Sequence, residues 1–178
     1  MRVVAGELKG RRLISPAGDS RAVRPTSDRA RETLFAILGR LSGMRALDLF
    51  CGTGALAIEA VSRGADSAVL VDKDLKLASR NVDELGIANR CELVRSDAVR
   101  YLENSDERFG LILCDPPYRL ADRLAPELAK HLPARLAKHG RLAIESSARE
   151  PIEIDLPKLP AVAERRIGEA LIRVYEKR

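Results

Sequence analysis

Four consecutive residues, Asp115-Pro116-Pro117-Tyr118, combine a carboxylate, a stiff backbone and an aromatic face. They follow the apolar run Leu111-Ile112-Leu113-Cys114, which reads as a buried parallel strand. Proline donates no backbone hydrogen bond and cannot extend a sheet, so the strand must end there. The Asp115 carboxylate and the Pro116 carbonyl are then two fixed acceptors at a strand's C-terminal edge, where open α/β sheets bind ligands. Such a pair suits a flat ring bearing an exocyclic amine. That nitrogen's lone pair is delocalised into the ring, so the amine is a poor nucleophile. Acceptors on its N–H groups would pull it toward a tetrahedral shape and aim the lone pair. The gain comes from positioning and electrostatics, with no metal or covalent nucleophile. Tyr118 would stack on a base taken out of its helix or loop. The plainer alternative is that Asp115 caps the next helix, the prolines end the strand and Tyr118 packs.

A second stretch, Asp48-Leu49-Phe50-Cys51-Gly52-Thr53-Gly54-Ala55, sits between an apolar strand and a helix. Its glycines let the backbone turn sharply and lie against a ligand. Gly52-x-Gly54-x-x-Ala57 satisfies a relaxed dinucleotide fingerprint, with Asp72 near the expected place for a ribose-binding acid. A pyrophosphate, however, needs bare N–H groups and no nearby carboxylate. Asp48 at the strand end suits a cation instead. S-adenosylmethionine carries a sulfonium, an α-ammonium group and no phosphate. Asp48 would attract its amino-acid end, Asp72 its ribose hydroxyls, and Asp97, followed by Ala98, its adenine amine. Phe50, Gly52 and Gly54 complete the candidate cofactor set. Each acid alone has a plainer reading, Asp97 above all as a helix N-cap.

Strand–helix alternation begins at Arg45. Strands are expected at Ala46–Phe50, Ala68–Val71, Cys91–Val94, Phe109–Cys114 and Arg141–Glu145. Helices are expected at Ala55–Arg63, Asp74–Leu85 and Ala98–Glu103, with a further one between Ala121 and Ala137 broken at Pro126 or Pro133. Residues 162–175 read as an antiparallel hairpin turning at Gly168-Glu169. The pattern predicts an α/β fold: a doubly wound, Rossmann-like sheet, mostly parallel, with an antiparallel C-terminal hairpin. Ahead of it lies a small extension. Residues 2–5 and 11–15 form a hairpin with Gly10, Arg11 and Arg12 near its tip. A helix runs from Ser27 or Asp28 to about Arg40 and is ended by Gly43, with Leu34, Ile37, Leu38 and Leu41 on its inner face and Arg29, Arg31 and Glu32 elsewhere.

The charge is unevenly placed. Residues 1–44 hold nine Lys/Arg against four acids, an excess equal to the net charge of +5 for all 178 residues. A basic arm (1–44) on an electrically neutral body (45–178) points to a polyanionic partner. No apolar run reaches the roughly 20 residues that span a bilayer, and the N-terminus lacks a signal peptide's apolar region, so a cytoplasmic protein is expected. Cys51, Cys91 and Cys114 show no C-x-x-C spacing, and none is proposed as a nucleophile. His131 and His139 have no Cys or carboxylate set at ligand spacing around them, and no metal is expected.

Asp48–Ala55 together with Asp115–Tyr118 resembles the amino-methylating class I S-adenosylmethionine-dependent methyltransferases. Gly10-Arg11-Arg12-Leu13, followed by Arg24-Pro25-Thr26-Ser27-Asp28-Arg29-Ala30-Arg31-Glu32-Thr33-Leu34-Phe35, is similar to the RsmD family across nearly the whole chain. Ala5, Ser27 and Tyr118 are small departures, standing where members often carry Gly, Thr and Phe. The resemblance implies methylation of N2 of one guanine in 16S rRNA; an assembling small-subunit particle is the expected partner, free rRNA stays open as the substrate, and a monomer is expected because no feature demands a dimer. The resemblance also implies that Arg11, Arg12, Arg24, Arg29 and Arg31 contact RNA phosphates, and that Arg24, Thr26, Asp28 and Arg31 border the active site. Asp28 and Glu32 have a structural alternative, pairing with nearby arginines. The Asp-Pro-Pro-Tyr motif itself leaves N6-adenine methylation open, and the glycine loop leaves a nicotinamide-dependent oxidoreductase as a more distant reading.

Overall fold

The apolar runs and amphipathic stretches become strands and helices in a computed structural model, which describes residues 1–16 and 27–178. In chain order the elements are α1 (Asp28–Leu38), β1 (Arg45–Leu49), α2 (Ala55–Ser62), β2 (Ser67–Asp72), α3 (Lys76–Leu85), β3 (Cys91–Arg95), α4 (Ala98–Asn104), β4 (Phe109–Cys114), α5 (Ala121–Arg135), β5 (Leu136–Ser147), β6 (Ala161–Ile167) and β7 (Ala170–Glu176). The strands make one sheet in the order β3-β2-β1-β4-β5-β7-β6. β1 to β5 pair in parallel, while β7 runs antiparallel to both β5 and β6. The doubly wound sheet and its closing hairpin are therefore as expected.

Both sheet faces are covered, which is why the central strands are apolar throughout. Ala46, Leu70, Leu111 and Leu113 face α1, α2 and α3, together with Val3 and Leu13 of the arm. Leu47, Leu49, Val69, Val71, Ile112 and Cys114 face α4 and α5. The basic N-terminal segment thus shares the core of the sheet. Among the described residues its backbone pairing is one antiparallel bridge, Arg2 with Arg12, supported by Val3 N–H donating to Arg11 O at 2.9 Å and Leu13 N–H donating to Met1 O at 3.1 Å. This is shorter than the expected hairpin and puts Arg12 on the return arm. Glu59 of α2, fully buried, accepts from the amides of Val4 (2.8 Å) and Ala5 (3.0 Å) and from Arg63 Nε (2.6 Å). Ser62 Oγ donates to Ala5 O at 2.6 Å and accepts from Leu8 N–H at 3.0 Å. The arm is held by backbone hydrogen bonds that α2 completes.

Helix ends show where local chemistry departs from expectation. Ser27 caps α1, its Oγ accepting from Ala30 N–H at 3.1 Å. Gly39, at φ 64°, ends α1 four residues before Gly43. α5 passes through Pro126 and Pro133 unbroken, and Lys177 Nζ donates to the carbonyls of Pro133 and Leu136 at 2.8 Å each, serving the C-terminal acceptors. β5 starts at Leu136 rather than Arg141, with a register shift against β4 and His139 at φ 59° absorbing the irregularity.

Candidate active site

The chain winds outward in opposite directions from β1 and β4, so the crevice between their C-terminal ends is the switch point of the sheet. Leu49 pairs with Cys114, so Phe50 and Asp115 leave the sheet side by side. Val71 pairs with Leu49, which brings Asp72 to the same level on the other side. Three of the predicted groups are therefore neighbours through strand register alone.

Asp48 lies one residue inside β1 and is 1% exposed. Its Oδ2 accepts from Ala57 N–H, in the first turn of α2, at 3.0 Å, and its Oδ1 has no hydrogen-bond partner. Burial pushes the carboxyl up to about 7; the Ala57 hydrogen bond opposes this and the Asp72 charge adds to it. A carboxylate thus already occupies the helix N-terminus on which a pyrophosphate would rest. Asp72 Oδ2 accepts from Gly52 N–H at 2.9 Å and Oδ1 from Asp74 N–H at 3.1 Å, leaving each oxygen a second lone pair for a hydroxyl donor. A Cβ at Gly52 would meet nothing within 4 Å, so the loop backbone is open to a ligand, whereas one at Gly54 would lie 2.8 Å from Leu70 Cδ2. Gly54 serves strand–helix packing. Phe50 holds φ 63°, which costs a bulky residue about 1–3 kcal/mol. Such strain at the loop's entry marks a conformation the surroundings enforce.

An orphaned buried carboxylate oxygen, a second acid one strand away and an open glycine backbone fit a cationic nucleoside without phosphate. Asp48 and Asp72 are the residues that would hold S-adenosylmethionine. Asp97 shows the plainer of its two expected roles. It is the N-cap of α4, its Oδ1 accepting from Val99 N–H at 3.0 Å and Arg100 N–H at 3.3 Å. Its Oδ2 pairs with Lys73 Nζ at 2.7 Å, and that ammonium holds Asp97 below the usual carboxylate range. Oδ2 keeps a second lone pair for a ligand amine beside the exposed Lys73. Ala98, the first residue of α4, is buried in the core beneath.

At the end of β4, Asp115 is half-buried, Pro116 is buried and Pro117 is exposed. Leu120 N–H donates to Pro117 O at 2.8 Å, closing a single turn that presents Tyr118, 45% exposed, ahead of α5. Burial pushes the thiols of Cys51 and Cys114 far up and that of Cys91 to about 11, so none offers a thiolate.

The basic arm divides into two groups. Arg12 and Arg29 are exposed, as is Arg11, whose Nη2 donates to Glu84 O at 3.0 Å. Arg31 corrects the expectation of a phosphate contact, because it is fully buried. Its Nη2 donates to Arg2 O at 2.6 Å and to Asp28 Oδ1 at 2.5 Å. Asp28 also lies 3.5 Å from Arg2 Nε, so its observed partners are structural. Arg24 and Thr26 lie outside the described residues. His131 corrects a second expectation: its Nε2 lies 3.8 Å from Glu103 and 3.7 Å from Glu127, the latter one helical turn away and readable from the sequence. Among the described residues no helix is long and apolar enough to cross a membrane.

A family model described as Conserved hypothetical protein 95 matches residues 1–176. The chain is 32% identical over 186 aligned residues to the ribosomal RNA small subunit methyltransferase D of Escherichia coli K12, covering 99% of this chain and 90% of that protein. Its structure is similar to that of yhhF from Escherichia coli, with a TM-score of 0.86 at 30% identity, covering 99% of this chain and 97% of that one. An RNA methyltransferase of Salinibacter ruber, solved with S-adenosyl-L-homocysteine, shares the fold with a TM-score of 0.63 at 17% identity, covering 86% and 93%.

Proposed function

The chain belongs to the Conserved hypothetical protein 95 family, and from that premise we propose that it methylates the exocyclic N2 of a guanine in 16S rRNA. It is an S-adenosylmethionine-dependent rRNA methyltransferase. The observation that carries this reading is the pairing of Leu49 with Cys114, which sets the Asp115-Pro116 acceptors beside the loop of Asp48 and Gly52. Bound against that loop, S-adenosylmethionine supplies an electrophilic methyl group on a sulfonium.

The chain's own residues prepare the acceptor nitrogen. The Asp115 carboxylate and Pro116 carbonyl accept its two N–H groups and turn the lone pair out of the ring plane. Burial of Pro116 and the end of β4 keep the pair rigid, so the orientation is set before the base arrives. Tyr118 stacks on the extruded base. The methylated nitrogen is strongly acidic and loses its proton to water by way of Asp115. Arg11, Arg12 and Arg29 meet RNA phosphates. The substrate is an assembling small-subunit particle, and the enzyme works as a monomer in the cytoplasm.

Asp115→Ala is expected to lower methyl transfer by about a hundredfold to a thousandfold, the scale of losing one preorganised polar group, with RNA binding retained. Mass spectrometry of rRNA nucleosides from cells lacking the protein should show loss of N2-methylguanosine. Loss of N6-methyladenosine with N2-methylguanosine unchanged would overturn the guanine assignment.

A further inference from the structure

Asn81 of α3 is 1% exposed and makes hydrogen bonds to two distant segments. Its Oδ1 accepts from Ile14 N–H at 2.6 Å, and its Nδ2 donates to Ile14 O at 3.1 Å and to Thr53 O at 2.9 Å. The reverse orientation of the amide would set Nδ2 against the Ile14 N–H, so the network fixes the assignment. Ile14 belongs to the basic arm. Thr53 lies between Gly52 and Gly54 in the cofactor loop.

The side chain acts toward Ile14 as a neighbouring strand would, pairing with both its N–H and its C=O. The remaining amide proton holds the Thr53 carbonyl and with it the Thr53–Gly54 peptide plane. That plane directs Gly54 N–H onto Cys51 O at 2.7 Å, which closes the loop's turn. The rest of α3 reinforces the bridge. Arg11 of the arm reaches Glu84 O at 3.0 Å, and Ala78 Cβ lies 3.5 Å from where a Cβ on Gly54 would stand. One face of this helix therefore supports the arm and the loop together.

Resting on the methyltransferase reading, we propose that Asn81 is a positioning residue that couples docking of the RNA-binding arm to cofactor affinity. A loop ordered by the cofactor holds the Thr53 carbonyl and so the amide that grips Ile14. An arm ordered by RNA holds the same amide for the loop. Reciprocity follows from linkage: whatever factor the arm contributes to cofactor binding, the cofactor returns to the arm, and such factors commonly span about fivefold to 150-fold.

The experiment is hydrogen exchange on the full chain with and without S-adenosyl-L-homocysteine, with calorimetry for the ligand. In the wild type, ligand should slow exchange at the amides of Val3, Leu13 and Ile14 by about fivefold or more, beyond any change in β6 at the sheet edge. Asn81→Asp keeps the acceptor for Ile14 N–H but sets a carboxylate against the carbonyls of Ile14 and Thr53. It should bind ligand about tenfold more weakly and lose the ligand-dependent arm protection. A purely structural asparagine would leave the wild-type protection absent, so the wild type alone decides if the variant does not fold. Ligand binding with unchanged arm exchange overturns the coupling, whereas absence of any ligand binding overturns the cofactor reading beneath it.

Discussion

Replacing Asp48 by asparagine is expected to stabilise the ligand-free protein at neutral pH while weakening cofactor binding. The carboxyl is buried, one oxygen has no partner, and burial raises it from 3.8 to about 7. The folded state therefore holds this proton more tightly than the unfolded state. Its contribution to stability is fully present below about pH 4 and is lost as pH rises through about 7. At 1.36 kcal/mol per pH unit the loss is at most about 4 kcal/mol. Asparagine can still accept from Ala57 N–H but carries no charge, so this loss disappears. In a chain of this size, each kcal/mol moves Tm by about 2–4 °C, giving a rise of several degrees at pH 8. A bound cation favours the carboxylate, so wild-type affinity for S-adenosylmethionine should increase with pH up to about 7, and the variant's should be weaker and flat. Thermal denaturation from pH 5 to 9 and calorimetry at each pH would test both halves. Parallel Tm profiles for the two proteins, or equal affinity at pH 8, would refute the reasoning.

Three further substitutions separate the residues that hold the arm in place from the one proposed to meet RNA. Gly6 sits at φ 86° and a Cβ there would lie 1.8 Å from Ser62 O, so Gly6→Ala should lift the arm from α2. The cost is about 2 kcal/mol or more, read as a lower Tm and faster proteolysis within residues 1–16. Arg31→Ala should destabilise by about 1–3 kcal/mol, since it strips the Arg2 carbonyl and Asp28 of a buried donor, and leave the salt dependence of RNA binding unchanged. Arg12→Glu should do the reverse, weakening RNA affinity and flattening its slope against salt by about one to two, with Tm unmoved. Equal effects of the two arginine substitutions on that slope would count against the division.

The sheet was legible because buried parallel strands are written as unbroken apolar runs, and β4 falls on the expected Phe109–Cys114. The acids at its edge were legible for the same reason, since strand ends can be read from where apolar character stops. Arg31 was not legible as a buried group because charge outweighed position. It shares a helical stripe with Leu34, Phe35 and Leu38, a spacing that was there to be read. Glu59 and Asn81 look like ordinary exposed polar residues on their helices until the arm supplies backbone partners 54 to 67 residues away. Long-range hydrogen bonds leave no local signature. Asp97 shows the opposite limit: its type and position suit both a ligand and a helix cap, both readings were open in the sequence, and the structure shows the cap and a pair with Lys73.

The docking of the arm on α2 and α3 has a consequence for how the protein is made. Residues 1–16 are made before their partners, so Val4 must wait for Glu59, 55 residues behind it, and Ile14 for Asn81, 67 residues behind. At about 5–20 residues per second that is a delay on the order of seconds. α1 waits longer still, because it packs against β6 and β7, which follow every other strand of this sheet in the chain. The nascent chain therefore carries an undocked basic segment until α2 and α3 have been made. Asn81 can brace the cofactor loop at Thr53 as soon as α3 forms, and the earlier-made arm then closes the bridge by folding back onto the same side chain.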